Sequence, residues 1–136
     1  MKLNPLIVSA GLALALLTTQ ALAAEPETVY LSSLDLSSVV QGWGQPQADK
    51  AVTGKTMSVG GKTFKRGLGT HTDSLVRLQL KGGSEKFMAF VGVDDAATSD
   101  QATITFRVVG DGKTLWKSPG MKRGQAARKV EVDVKG

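Results

Sequence analysis

The chain contains a single histidine, His71, as its candidate general base. A Ser-His-Asp relay needs a nucleophile and a carboxylate that converge on the imidazole. Asp73 and Ser74 follow His71 too closely for this, because neighbouring residues of an extended segment point to opposite faces. The sequence has no Gly-x-Ser-x-Gly elbow. A lone histidine in a small β-protein more often makes structural hydrogen bonds, so the sequence argues against hydrolysis by this chain.

Asp94 and Asp95 are the paired carboxylates of the chain. A glycosidase needs two carboxyl groups about 5–10 Å apart on either side of the scissile bond. Adjacent residues of an extended chain point apart and cannot flank one bond. The pair could instead cap a loop or hold a structural Ca²⁺ together with backbone carbonyls. Without cysteine and with one histidine, most zinc sites and any thiol nucleophile are excluded.

The same residues are better suited to binding. A sugar site needs an aromatic face for the C–H side of the ring and a few polar groups on loops of a rigid scaffold. Trp43 stands between two glycines, which favours a sharp turn and a displayed indole, although the ring could equally plug one end of a sandwich. His71 follows a glycine-rich segment. The candidate binding residues are Trp43, His71, Asp94 and Asp95.

In the segments that must position these residues, apolar and polar side chains alternate with a period of two residues, which is typical of β-strands. Apolar and polar residues alternate over 74–80, 102–109 and 130–135, which predicts strands with one buried face. Residues 86–93 are almost wholly apolar, and this predicts a central strand buried on both faces. No segment has the pattern of a long amphipathic helix.

Two glycine-containing pairs predict tight hairpins. Gly60-Gly61 and Asp111-Gly112 each lie between short runs of strand-forming residues, and glycine accepts the positive φ that such turns require. Short strands at this spacing predict an all-β domain, with a sandwich favoured over a barrel. The length of 136 residues fits one domain.

The beginning of the chain has the features of a signal peptide. Met1-Lys2 supplies a positive start, residues 6–17 are almost wholly apolar, and Ala21-Leu22-Ala23 fits a cleavage site. We therefore predict a signal peptide over 1–23, with an uncleaved anchor as the alternative, and a linker over 24–27. A secreted or periplasmic location follows, and a bacterial chain without cysteine is compatible with it.

The positive charge does not indicate nucleic-acid binding. The formal net charge is +5, or +4 once Lys2 is removed with the signal. The basic residues are scattered, with only Lys122-Arg123 and Arg128-Lys129 adjacent, and aromatic residues are not interleaved with them. Spaced lysines are typical of a solvated surface. No nucleic-acid partner is expected, and no membrane contact after signal cleavage.

Six segments of the chain follow one another in a recognisable order. They are Val29-Tyr30-Leu31-Ser32-Ser33-Leu34, Gly42-Trp43-Gly44, residues 59–71 (ending Gly67-Leu68-Gly69-Thr70-His71), residues 87–95 (ending Val93-Asp94-Asp95), residues 104–108 and residues 111–116. In these segments and their order the chain resembles the NPCBM family of carbohydrate-binding modules, from about Thr28 to its end.

The resemblance implies a galactose-binding-domain-like jelly-roll β-sandwich that is attached to secreted bacterial glycoside hydrolases such as α-galactosidases. It implies galactose-type or related glycans as ligands. We expect no cofactor, apart from the structural Ca²⁺ considered above. The positions that match the family are Trp43, His71, Asp94 and Asp95, some of which could serve the fold.

At its C-terminal end the sequence departs from the pattern of the family. Members of the family continue past the strand at 130–134 into another apolar strand and an Asp-His-x-Asp-Trp-like segment, whereas this sequence stops at Lys135-Gly136. A domain truncated at its C-terminus is therefore expected within 28–136. The main functional hypothesis is non-catalytic carbohydrate binding. The alternatives are an N-terminal fragment of a secreted glycoside hydrolase with a covalently linked catalytic domain, and an envelope protein-interaction domain.

Overall fold

The computed structural model describes residues 23–136, which contain ten short β-strands and one 3-10 turn. This confirms the all-β prediction. The predicted signal peptide lies almost wholly outside the described residues. No helix within residues 23–136 is long and apolar enough to cross a membrane. The elements are the 3-10 turn Leu31–Ser33 and strands β1 Val40–Gln41, β2 Gln47–Ala48, β3 Met57–Val59, β4 Lys62–Phe64, β5 Leu68–Gly69, β6 Ser74–Leu75, β7 Lys86–Val91, β8 Arg107–Gly110, β9 Lys113–Lys117 and β10 Arg128–Asp133.

Both predicted hairpins are present. Strands β3 and β4 pair antiparallel around Gly60-Gly61, whose φ angles are 58° and 80°. Strands β8 and β9 pair around Asp111-Gly112, with φ angles of 46° and 78°. Two consecutive positive φ angles give the turn whose twist matches that of the flanking strands, so the local sequence is sufficient to fix both hairpins.

Three further antiparallel pairs join strands that are distant in sequence. Strand β1 pairs with β6, β2 pairs with β5, and β7 pairs with β10 over six residues of each strand. The first pairing matches Val40 with Leu75 and Gln41 with Ser74. Because this pair ends at Gln41 and Ser74, the loop that follows β1 meets the loop that precedes β6.

A small apolar core lies beneath these strands. Val130 is completely buried, and Met121, Val93 and Ala51 are nearly so. Along β10, Val130 faces inward while Glu131 is exposed, as the alternation over 130–135 predicted. Isolated pairing of Ile104 with Met121 extends the structure around this core.

The prediction for residues 86–93 was wrong. Strand β7 alternates in burial, and the side chains of Met88 and Phe90 are 59% and 55% exposed. Within residues 23–136, β7 pairs only with β10. The face of this ribbon that carries Met88 and Phe90 is open to solvent, and Lys86 and Glu131 form an ion pair there at 2.7 Å. An apolar run therefore does not establish that both faces are covered.

The predicted strand over 74–80 is also shorter than expected. The structure keeps only Ser74–Leu75 as β6, and Leu78 and Leu80 beyond it are exposed. Alternation of apolar and polar residues makes a segment compatible with a β-strand, but a strand forms only where a partner strand supplies the hydrogen bonds.

Candidate functional site

The end of the β1–β6 pair brings two loops together. The backbone N–H of Gly42 donates a hydrogen bond to the carbonyl oxygen of Asp73 at 3.0 Å. A Cβ atom on Gly42 would stand 3.4 Å from the carbonyl oxygen of Thr72, which is an ordinary van der Waals distance. The loop carrying Trp43 therefore lies directly against the loop carrying His71.

Trp43 and His71 form an exposed aromatic platform. Their ring centroids are 5.3 Å apart and the rings are tilted by 58°. The Trp43 side chain is 59% exposed and His71 is also exposed. The indole is therefore displayed on a loop and does not plug the end of a sandwich. An apolar ring face beside a polar imidazole is the combination that a pyranose requires.

The hydrogen bond of His71 indicates which ring nitrogen carries the proton. Nδ1 of His71 lies 2.7 Å from the carbonyl oxygen of Thr72. Because a carbonyl oxygen only accepts, Nδ1 carries the proton and Nε2 of the neutral ring is an acceptor. The hydroxyl of Ser74 donates to Oγ1 of Thr70 at 3.1 Å. Ser74 and His71 are therefore not arranged as a nucleophile and its base.

Gln41 ends β1, two residues before Trp43, and was not among the residues singled out from the sequence. Its Nε2 donates to the carbonyl oxygen of Trp43 at 2.7 Å. Its Oε1 is buried and has no hydrogen-bond partner. Adjacency to the Gly-Trp-Gly segment was a visible signal, but the sequence could not show that the amide turns back onto the loop.

Asp94 contacts the β3–β4 hairpin and its own loop. One carboxylate oxygen accepts a hydrogen bond from the backbone N–H of Ser58 at 3.1 Å, and the other accepts from Ala96 at 2.8 Å. The Ser58 bond is partly buried, whereas the Ala96 bond lies at the surface. Asp94 thus joins the end of the β7 segment to β3.

Asp95 holds the turn of the same hairpin. Its oxygens accept hydrogen bonds from the backbone N–H groups of Gly60 and Gly61, each at 2.9 Å, and from the hydroxyl of Ser58 at 2.5 Å. The Ser58 hydroxyl, followed by the two backbone N–H groups, lowers the pKa of the Asp95 carboxyl from its ordinary value. The ionised carboxylate is the form that these donors require.

The four site residues predicted from the sequence therefore fall into two groups. Trp43 and His71 meet at the platform, whereas Asp94 and Asp95 hold the β3–β4 hairpin. Within residues 23–136 neither aspartate shares a hydrogen bond with Trp43 or His71. Their contact with a sugar stays a prediction, and their hydrogen bonds show a role in supporting the fold.

The calcium hypothesis gains no support from this geometry. All four carboxylate oxygens of Asp94 and Asp95 already accept hydrogen bonds. The described part of the chain contains no group of three or more histidine, aspartate or glutamate side chains placed to hold a metal ion. Calcium prefers six to eight oxygen ligands. Binding of Ca²⁺ stays a prediction.

With its fold and platform described, the chain can be compared with known proteins. It belongs to the NPCBM/NEW2 domain family, whose model matches residues 27–136. This family consists of carbohydrate-binding modules that are not themselves catalytic. The family resemblance predicted from the sequence is confirmed.

Two solved structures from Clostridium perfringens resemble the chain closely. The CBM51 domain of GH95, solved in complex with methyl-galactose, is 32% identical with a TM-score of 0.70, and the match covers 79% of each chain. The structure of the CBM51-2 and INT domains of ZmpB is 28% identical with a TM-score of 0.72, and the match covers 78% of this chain and 24% of that one. The prediction of a galactose-binding-like β-sandwich is thereby confirmed.

Two curated relatives are named as enzymes. Alpha-1,3-galactosidase B of Akkermansia muciniphila is 32% identical over 96 residues, which are 69% of this chain and 12% of the relative. A Renibacterium salmoninarum protein with the provisional name endo-alpha-N-acetylgalactosaminidase is 35% identical over 101 residues, or 70% of this chain and 7% of the relative. The chain therefore spans only a small part of the relatives it matches.

Proposed function

We propose that this chain binds carbohydrate through the platform formed by Trp43 and His71. The observation that carries the proposal is the exposed indole with an imidazole 5.3 Å away on a neighbouring loop. The indole face would cover the C–H side of a sugar ring, and Nε2 of His71 would accept a hydrogen bond from a hydroxyl. The platform is open, so it suits the end or side of a glycan chain.

Galactose-type sugars are the proposed ligands. The CBM51 domain that resembles this chain over 79% of its length was solved with methyl-galactose. Binding would require no chemical change in the sugar and no cofactor. Asp94 and Asp95 would support it indirectly by keeping the β3–β4 hairpin in place.

A titration tests the proposal directly. The full chain is titrated with methyl-galactose, and methyl-glucose serves as the control because it differs only in the configuration at C4. We expect saturable heat release and a change in tryptophan fluorescence with methyl-galactose, and a weaker response with methyl-glucose. A folded chain that responds to neither sugar, nor to any member of a broad glycan array, would contradict the proposal.

We further propose that the module is covalently linked to a glycoside hydrolase domain in an exported protein. Support comes from the two curated relatives, which carry enzyme names and are far longer than the matched region. Sequencing the DNA on both sides of this region tests the linkage, and an uninterrupted reading frame for a hydrolase is expected. Absence of any hydrolase sequence in that frame would refute it.

Export is tested separately. We propose a secreted or periplasmic location, supported by the signal-like sequence of residues 1–23. Fractionation of cells that produce the full chain should place it outside the cytoplasm, with Ala24 as its N-terminal residue. Full-length protein confined to the cytoplasm would contradict the proposal.

A further inference from the structure

The side-chain amide of Gln41 is satisfied at only one of its two ends. Nε2 donates to the carbonyl oxygen of Trp43 at 2.7 Å, whereas Oε1 is buried without a partner. An unpaired buried acceptor destabilises a fold. The amide cannot relieve this by turning over, because Oε1 would then face the carbonyl oxygen of Trp43 and two acceptors would meet.

The two ends of Gln41 have different mechanical roles. Its backbone belongs to β1 and pairs with Ser74 of β6. Its side chain reaches two residues ahead, to a position flanked by Gly42 and Gly44, and Gly44 has a φ of 69°. Glycines on both sides give the backbone around Trp43 wide conformational freedom. The Gln41 amide is therefore a brace between a paired strand and a more pliable loop.

Trp43 depends on this brace. Within residues 23–136 the bond from Gln41 is the one hydrogen bond that Trp43 makes. The indole is 59% exposed, so packing restrains it only in part. Loss of the brace would leave the ring free to change its distance and tilt relative to His71.

We infer that Gln41 is the positioning residue of the platform: its amide holds the Trp43 carbonyl and thereby sets the indole against His71. This inference rests on the proposed sugar-binding function. The unpaired Oε1 destabilises the fold, whereas the Nε2 end of the same amide orients Trp43. Gln41 does not itself touch the sugar.

The test uses the full chain with Trp116→Phe, so that Trp43 is its single tryptophan. Gln41→Met is then added, which has a similar length but removes both the donor and the unpaired acceptor. Gln41→Glu keeps the acceptor and replaces the donor with a second acceptor oxygen, and Gln101→Met is the control at an exposed position. Three quantities are measured: the melting temperature, the decay of Trp43 fluorescence anisotropy and the affinity for methyl-galactose.

We expect Gln41→Met to melt at the same temperature as its parent or higher, because a buried unpaired acceptor is gone. The fluorescence anisotropy of Trp43 should show a larger fast component from ring motion. The affinity for methyl-galactose should fall about tenfold, because a misplaced indole should cost about as much binding free energy as the loss of one or two ordinary hydrogen bonds between protein and sugar. Gln41→Glu should also free the ring, and Gln101→Met should change none of the three quantities.

Two results would overturn the inference. Unchanged ring motion and affinity in both Gln41 variants would show that the amide positions nothing. A lower melting temperature with unchanged ring motion would show that Gln41 only stabilises the fold. Should the parent chain fail to bind methyl-galactose, the proposal of galactose-type ligands would fail, whereas the ring motion of Trp43 would still decide whether Gln41 positions it.

Discussion

Replacement of Trp43 by alanine separates binding from folding. The side chain is 59% exposed, so about two fifths of its surface is covered. A tryptophan presents up to roughly 250 Å², so about 100 Å² is buried here, which contributes at most about 2.5 kcal/mol. Domains of this size are stable by about 5–15 kcal/mol, and the variant should therefore remain folded.

Binding should respond much more strongly than stability. The indole provides the apolar face of the platform, and we expect Trp43→Ala to lose at least about tenfold in affinity for methyl-galactose, or about 1.4 kcal/mol. Isothermal titration measures the affinity and urea unfolding measures the stability. Trp116→Phe is the matched control, because Trp116 lies half-buried on β9 and should leave binding unchanged. Affinity within twofold of wild type in folded Trp43→Ala would refute the platform.

Four further outcomes follow from the structure. His71→Ala should weaken sugar binding in the same titration with little loss of stability, because its ring is exposed. Val130→Ala, at a completely buried position, should lower the free energy of unfolding by about 2–3 kcal/mol, whereas Val109→Ala at an exposed position should change it by less than about 0.5 kcal/mol. Gly69→Ala should destabilise the fold by about 1–3 kcal/mol in urea unfolding, because its new Cβ would overlap the carbonyl oxygen of Lys50. The hydrogen bonds of Asp95 lower the pKa of its carboxyl from the ordinary value of 3.8. The ionised carboxylate should therefore stabilise the fold fully above the ordinary pKa, and this stabilisation should be lost as the pH falls through the lowered pKa. Asp95→Asn should show a smaller drop in the free energy of unfolding between pH 7 and pH 3 than the wild type.

Local features of the fold could be predicted from the sequence because they depend on neighbouring residues. Gly60-Gly61 and Asp111-Gly112 determine their hairpins through φ angles that few other residues adopt. The alternation over 130–135 likewise identifies the buried face of β10. The exposure of Phe90 could not be predicted in this way, because it depends on which surfaces meet its strand and not on the strand itself.

The candidate site likewise combines features that the local sequence shows with features that only the folded structure determines. Trp43 and His71 could be singled out by residue type and by their glycine-rich surroundings, but their contact depends on the β1–β6 pairing of two-residue strands more than thirty residues apart. The role of Asp95 depends on the docking of the β3–β4 turn, which no local pattern encodes. The role of Gln41 could not be predicted, because it depends on the direction in which its side-chain amide points.

The brevity of the β1–β6 pair has a consequence for the dynamics of the domain. The loop of Trp43 is joined to that of His71 by two ladders with only two residues of each strand, β1–β6 on one side and β2–β5 on the other, and by one more bond from Gly42 to Asp73. Such a short ladder opens at a low free-energy cost compared with the six-residue pairing of β7 and β10. A sugar that contacts both loops binds only the closed form, so its binding energy is added to the stability of the ladder. Amide hydrogen exchange at Gly42 should therefore slow in proportion to sugar occupancy, while exchange along β10 stays unchanged.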